Sequence, residues 1–358
     1  MADLDFSRWA IVSPKDDTGF GRQATMLKRA FHIRRHIAVP SDRLDNLPPV
    51  APQETFLAPE EPFARVEEEL SGLQGIIFFE RCDWHPMLLA VAQKLGVKTV
   101  CVANWEWFTG WKPTWCDVDL IVCPSEWTFS VVRSYGHMHA VHLTWPVDIA
   151  HLPERRITGP ARLFVHNAGL VDVQDRKGTR DTIVAFRKVS NRDIRLLVRL
   201  QREAELPKGD DRIEVRIGNL SNNADLYLEG DVAIQPSKME GVGFMVIEPH
   251  CCGIPVITTD YPPMNEYVRD PRLLVKPRWG KRKAFPTAWV KHAHLRLPKI
   301  GDLCRKIEWC AENDLTEMSA ASRRDAMVLY DPERVHVEWT RALEALLPSD
   351  PSSRRTPS

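Results

Sequence analysis

The chain has 358 residues and a hydrophobic content of 44%, enough to build the cores of two ordinary domains. Its 48 basic and 48 acidic residues balance, so bulk charge excludes a polycation that holds nucleic acid or an anionic membrane over its whole surface; such contact needs a local patch. No apolar run approaches the ~20 residues that span a bilayer, and the opening MADLDFSRWAIV lacks the basic-then-apolar pattern of a signal peptide.

In chain order, Trp9–Val12 reads as a strand, followed by a loop with Gly19 and Gly21 and a helix from about Arg22 to Phe31. Gly75–Phe79 reads as a strand, and Pro86 as the first turn of a helix ending near Gly96. Thr99–Ala103 and Leu120–Cys123 are further strands. Pro146, Pro153, Gly159 and Pro160 then mark a linker. The rhythm restarts with a strand at Arg162–His166, a loop holding Lys177-Gly178, and a helix ending near Val189. Strands follow at Ile194–Leu200, Glu214–Ile217, Val232–Gln235 and Pro255–Thr258. Such continuous apolar runs suit parallel strands covered on both faces. Two βα series imply two Rossmann-like domains, over residues 1–148 and 161–330, with a linker at 149–160. A closing amphipathic helix is expected within 331–347 and a disordered, proline-rich tail over 348–358. The eight cysteines form no CxxC pair and several lie in apolar runs, so buried thiols in a reducing, cytoplasmic compartment are expected.

In open parallel sheets, ligands bind beyond the carboxyl ends of the strands. After the first strand, Thr18-Gly19-Phe20-Gly21-Arg22 can offer backbone amides to an anion, although a tight βα turn would also use glycine. In Asp175-Arg176-Lys177-Gly178, the lysine can neutralise a phosphate group; the alternative is a solvated loop. After Gln235-Pro236-Ser237, the segment Glu240-Gly241-Val242-Gly243-Phe244 forms a turn into a helix over about Phe244 to Cys252. Amides at that helix start suit a diphosphate. Glu240 can accept hydrogen bonds from two sugar hydroxyls, and Glu248, about one turn into the helix, can accept from a ribose. An ordinary surface helix does not explain why two glutamates flank a glycine turn after an apolar strand.

The run from Glu240 to Glu248, continued by Cys252-Gly253-Ile254-Pro255-Val256-Ile257 and by Asn265-Glu266, resembles the E-x7-E signature of retaining GT-B glycosyltransferases of family 4, the group 1 transferases. Gly19 to Gly21 and Arg176-Lys177-Gly178 fall where that family has its N-terminal glycine loop and its phosphate-binding lysine, and Asp231–Ser237 also fits. The resemblance runs from about Ile11 to Arg341 and is strongest over 160–267. It implies an α/β GT-B architecture, two Rossmann-like domains with parallel sheets facing a central cleft. It also implies a retaining, metal-independent transfer of a hexose-type sugar. The donor would be a nucleotide-diphosphate sugar, most commonly a UDP-sugar, with no cofactor required. The acceptor would be a hydroxyl of a glycan, a lipid-linked sugar or a small molecule. In that frame Glu240, Gly241 and the amides of Gly243, Phe244 and Met245 hold sugar and diphosphate. Lys177 and Gly21 meet the diphosphate, Glu248 the ribose, and residues around Asn219 the base. Catalytic roles fall to Lys177, Glu240 and His85. The family often has a glycine–arginine pair after the strand corresponding to Leu163–His166. Here Asn167-Ala168-Gly169 stands there, which leaves Arg176 or Arg199 to complete the phosphate clamp.

Acceptor candidates lie in the first half. Glu80, Asp83 and His85 follow the strand Gly75–Phe79; His85 sits where the family often places an acceptor-side histidine, or it caps the next helix. Trp105, Glu106 and Trp107, with Trp111 and Trp115, could contact a sugar or build a domain wall. Asp117-Val118-Asp119 has the DxD spacing of a metal motif but precedes its strand, so a solvated strand start is the better reading. From Pro271 to Gly301 there is no acidic residue but nine Lys/Arg, two His and two Trp. This basic segment, 272–299, looks like an insertion relative to the family. It could meet nucleic acid or an anionic lipid surface, or be a solvated loop that balances nearby acids. It carries the alternative reading, a transferase acting on modified bases of DNA. A silent sugar-nucleotide-binding protein is disfavoured because both glutamates and Lys177 are present. A nicotinamide oxidoreductase is disfavoured because Ala24 stands where a third glycine would be required.

Overall fold

Most of the apolar runs become strands buried on both faces in a computed structural model that describes residues 3–15, 19–40, 53–172, 174–284 and 293–347; the run at Glu214–Ile217 does not, because it forms an edge strand and is exposed. The tail at 348–358 and the middle of the basic segment lie outside the described residues. The chain groups into two compact units, Met1–Asp148 with Pro332–Ser358, and Ile149–Asp331.

The first unit runs β1 (Trp9–Ser13), α1 (Gly19–Phe31), β2 (Arg35–Ala38), β3 (Glu54–Phe56), α2 (Phe63–Leu70), β4 (Gly75–Phe79), α3 (Leu88–Leu95), β5 (Lys98–Val102), β6 (Leu120–Cys123), α4 (Glu126–Ser134) and β7 (Ala140–His142). Its seven strands are parallel in the order β3-β2-β1-β4-β5-β6-β7. The order reverses between β1 and β4, the place where open α/β sheets bind ligands. Trp9 pairs with Gly75 across these strands, and a Cβ at Gly75 would lie 2.4 Å from the Trp9 ring, so the glycine makes the room.

The second unit runs β8 (Leu163–Gly169), α5 (Thr179–Lys188), β9 (Arg195–Leu200), β10 (Ile213–Ile217), β11 (Val232–Gln235), α6 (Phe244–Cys252), β12 (Val256–Thr259), α7 (Met264–Tyr267), β13 (Leu274–Val275), β14 (Pro277–Ala284), β15 (His294–Pro298), α8 (Ile300–Glu312) and α9 (Thr316–Leu329). Six strands form a parallel sheet in the order β10-β9-β8-β11-β12-β13, which reverses between β8 and β11. Segment 149–161 is hydrogen-bonded along this unit rather than hanging as a bare connector. Arg155 N donates to Cys252 O, Ile157 N to Ser319 Oγ and Ala161 N to Cys310 O. The last helix, α10 (Pro332–Glu344), packs into the first unit, where Trp339 donates Nε1–H to Thr144 O at 2.8 Å and its ring meets Phe31 and Trp145.

Three expectations are corrected. Gly19 and Gly21 lie inside the first turn of α1, not in a loop ahead of it. Pro86 stands before α3, which starts at Leu88 with Met87 as its N-cap. The basic segment is not a plain loop: β14 and β15 pair as an antiparallel ribbon. All eight cysteines are free thiols. Among the described residues no helix is long and apolar enough to cross a membrane.

The C-cap of α6 fixes one testable point. Gly253 has φ 85, and an added Cβ would lie 2.6 Å from Arg155 O. Gly209 has φ 97, but its nearest such neighbour is 4.0 Å away. Gly209→Ala is expected to cost only the left-handed conformation, about 1 kcal/mol, and Gly253→Ala about 3 kcal/mol or more because backbone must also shift. Urea denaturation of the two variants checks the ranking.

Candidate active site

The two strands at the reversal of the second sheet each deliver one loop to the same place. The loop after β8 carries Asp175, Arg176, Lys177 and Gly178, and the loop after β11 carries Ser237, Lys238, Met239 and Glu240. They are zipped together by backbone: Lys238 N donates to Arg176 O at 2.8 Å. Gly178, at φ 73, starts α5, and a Cβ there would sit 2.6 Å from Pro236 O, so only glycine permits the approach.

Glu240 is the centre. It is 3% exposed, and its two oxygens accept from Lys177 Nζ at 2.6 and 2.8 Å, Arg176 Nη1 at 3.0 Å and Ser237 Oγ at 2.6 Å. Burial alone would raise its pKa. The charges of Lys177 and Arg176, with the hydrogen bonds from Lys177 and Ser237, outweigh burial and hold the carboxyl at about 2. Arg176 Nη1 also donates to Met239 O at 3.0 Å. Beside this group, Lys238, 6% exposed, pairs with Asp175 at 3.0 Å and Asp181 at 2.9 Å. Asp175, at φ 50, accepts from the amide of Thr179 at 2.8 Å and of Arg180, capping α5.

Below these loops, His166 is fully buried in β8. Its Nδ1 donates to Ile234 O at 2.6 Å, so Nε2 accepts from the Thr179 hydroxyl at 2.9 Å. Burial lowers its pKa to about 4, which keeps the ring neutral. Asn167 and Gln235, at the ends of β8 and β11, each leave one buried atom, Nδ2 and Oε1, without a hydrogen-bond partner among the described residues.

Gly243, at φ 84, caps α6, whose first turn holds Phe244 and Met245. Gly241 lies in the preceding turn. Glu248 is 1% exposed inside α6 and accepts a short hydrogen bond from the Tyr227 hydroxyl. Arg199 lies apart from the Glu240 group. It is buried and donates to Asn167 Oδ1, Leu226 O and Glu229, and burial lowers its pKa. Asn219 accepts from Gln201 Nε2 at 3.0 Å.

In the first unit, the candidates follow β4 and β5. Asp83 sits between Arg81 (2.8 Å) and Lys112 (2.9 Å), which outweigh the effect of burial and lower its pKa. His85, 2% exposed, donates Nε2–H to Ala58 O at 2.9 Å and accepts Met87 N–H on Nδ1, so it is neutral and caps the approach to α3. Burial lowers its pKa. Trp105 is fully buried edge-on to Trp127, and Trp115 is buried against Phe108; Trp107 and Glu106 adjoin them, and Trp111 is exposed. Asp119 accepts from Thr99 N and Oγ1 at 2.8 and 2.9 Å, fastening β6 to β5. Among the described residues, no group of three His, Cys, Asp or Glu is gathered to hold a metal.

Residues 174–284, the segment that holds Lys177, Glu240 and Glu248, match the family model described as glycosyl transferases group 1. The fold is GT-B, with two parallel-sheet Rossmann-like domains. Similar solved structures include Alr3699/HepE of Anabaena in complex with UDP and glucose, at 10% identity, TM-score 0.66, over 94% of this chain and 99% of that one. A glycosyltransferase from Rickettsia africae gives 12% identity and TM-score 0.64 over 96% and 99%. A sucrose-phosphate synthase from Thermosynechococcus elongatus gives 13% and 0.63 over 94% and 98%. No curated protein matches the chain in sequence.

Sequence alone does not reveal Ser237 as a partner of Glu240 or Tyr227 as a partner of Glu248, nor the Lys238–Asp175 pair beside them. His166 carried a signal, since it is a polar residue inside an apolar strand.

The depressed pKa values give a pH dependence. His166 contributes stability that is present above its ordinary 6.5 and is lost as pH falls toward 4. Glu240 contributes stability that is present above its ordinary 4.5 and is lost as pH falls toward 2. Glu240→Gln is therefore expected to cost roughly 3 kcal/mol at neutral pH. The gap from the parent protein should narrow below about pH 4.5, as read by urea midpoints.

Proposed function

We propose that this chain is a retaining group 1 glycosyltransferase that moves a hexose-type sugar from a UDP-sugar to an acceptor hydroxyl. The observation that carries the reading is the buried Glu240 held by Lys177 and Arg176 at the sheet reversal, inside the segment that matches the family model. The UDP in the Anabaena complex supports the choice of nucleotide.

In this reading the donor's diphosphate draws Lys177 and Arg176 toward its oxygens. Arg176 takes the place of the arginine that the Asn167-Ala168-Gly169 turn lacks; Arg199 is committed to Glu229 and Leu226 O. Glu240 then turns its acceptor capacity to the sugar hydroxyls. The amides at the start of α6 add partial positive charge, and the Tyr227-held Glu248 faces the ribose. The bond from the anomeric carbon to the diphosphate oxygen breaks as the acceptor oxygen bonds to the same face. The acceptor proton passes to the departing phosphate oxygen. No enzymatic nucleophile is needed; positioning and charge stabilisation supply the rate. Lys177 and Arg176 neutralise the leaving group without a metal.

UDP is expected to raise the melting temperature in proportion to the logarithm of its excess over its dissociation constant. Lys177→Ala should lower release of UDP from UDP-glucose by about 100-fold or more and abolish most of the UDP-induced shift. A variant with near-parental turnover would remove Lys177 from the mechanism, and a parent protein unmoved by any nucleoside diphosphate would remove the donor site.

A further inference from the structure

The ribbon β14–β15 carries charge that the transferase reading does not use. Strand β14 reads Pro-Arg-Trp-Gly-Lys-Arg-Lys-Ala and its partner His-Leu-Arg-Leu-Pro, with no carboxylate in either. Neighbouring cations are neutralised in place: Arg272 by Asp270 at 2.5 Å and Arg305 by Asp302 at 2.8 Å. Lys276, Arg278, Arg296 and Lys299 form no ion pair among the described residues, and Lys276, Arg278 and Lys299 are exposed.

The ribbon is also joined to the candidate active site. Arg296 N donates to Lys238 O at 2.9 Å, two residues before Glu240. The Arg296 guanidinium lies over the Tyr261 ring, 4.6 Å from its centroid. Of the apolar side chains described around it, Ala293, Leu295 and Pro298 are buried and Leu297 is half-buried, so none of these is exposed to enter a lipid surface. Exposed cations at the base of a ribbon, outside any described ion pair, match the phosphate backbone of a nucleic acid, and a two-stranded ribbon is an element that the major groove of duplex DNA admits.

We propose that β14–β15 is a phosphate-binding ribbon that docks duplex nucleic acid beside the Glu240 loop, so that the acceptor hydroxyl of the proposed transfer is carried by a nucleic acid. The assignment of acceptor rests on the transferase reading; the docking itself does not.

The test is fluorescence anisotropy of the full chain with a labelled DNA duplex of about 20 base pairs between about 50 and 200 mM salt. The logarithm of affinity is expected to fall linearly with the logarithm of salt, by about 0.9 per phosphate neutralised. In Lys276→Gln/Arg278→Gln/Lys299→Gln the slope should become shallower by about 3 and affinity should drop about tenfold or more. Its melting temperature and UDP-induced shift should be unchanged. If the triple variant does not fold, Lys299→Gln alone should lose about one unit of slope. Absent duplex binding at the lowest salt, or an unchanged slope in the variant, overturns the proposal. So does binding to phosphatidylserine vesicles without binding to the duplex. Duplex binding in a protein that UDP does not stabilise keeps the ribbon and removes the transferase reading instead.

Discussion

The buried carboxylate of Glu240 is the constraint on which the second unit's chemistry depends. Taking a carboxylate out of water costs several kcal/mol unless close cations and hydrogen bonds replace the lost solvation. Here four hydrogen bonds from Lys177, Arg176 and Ser237 fill the roughly four acceptor positions of a carboxylate. That demand reaches backward into the fold. Lys177 arrives only if the loop after β8 is folded tightly onto Pro236, which requires Gly178 at positive φ. The loop holds its shape because Asp175 caps α5 while accepting from Lys238. The order β8 next to β11 places both loops at the reversal of the sheet. A second layer, His166 between Ile234 O and Thr179, ties the same two strands from below.

Under the proposed function, the same arrangement lets paired cations be stable in a buried place and still be drawn to a diphosphate. Two cations beside a lone diphosphate site would repel each other and any further positive charge. Their sharing of Glu240 neutralises them at short range. In the proposed mechanism a diphosphate competes for these cations with a carboxylate that is already deprotonated, so no proton need move for the exchange to occur. The sugar hydroxyls then replace donors that Glu240 has lost, and the carboxylate is never left buried and unsolvated. Sugar and diphosphate would thus bind as a linked pair rather than independently.

The sequence made the interior of each sheet legible and its margins illegible. β4, β6 and β11 coincide with the expected bounds because they are uninterrupted apolar runs buried on both faces. Strands β2, β3 and β7 were missed because they are short, with few apolar residues: β2 reads Arg-His-Ile-Ala, and β7 is half-exposed. The three-residue strand β3 was equally silent. Helix α6 was legible from its glycines, at positive φ at both ends. The two glutamates were legible for the same reason, as charges beside a glycine turn. Their protein partners were not, because Lys177 lies 63 residues from Glu240 and Tyr227 lies 21 from Glu248. Spacing in sequence says nothing about a pairing made by strand order. Gly19 and Gly21 misled in the opposite direction, since glycine in a first helical turn looks the same in sequence as glycine in a loop.

The first unit distributes its polar groups differently, and the contrast bears on where selectivity resides. After β4, Asp83 is already satisfied by Arg81 and Lys112, and His85 by Ala58 O and the Met87 amide. Trp105, Trp115 and Glu106 are buried, whereas Trp107 is half-buried and Trp111 exposed. These groups are fixed by their own neighbours and can shape an acceptor surface without supplying net charge. The ribbon β14–β15 is the opposite case, with exposed cations that no described carboxylate balances. In a protein of zero formal net charge, the exposed Lys276, Arg278 and Lys299 lie on a ribbon bonded by backbone to the loop of the central carboxylate and can attract an anionic partner there. Selection of an acceptor by charge would then begin in the same unit that is proposed to hold the donor.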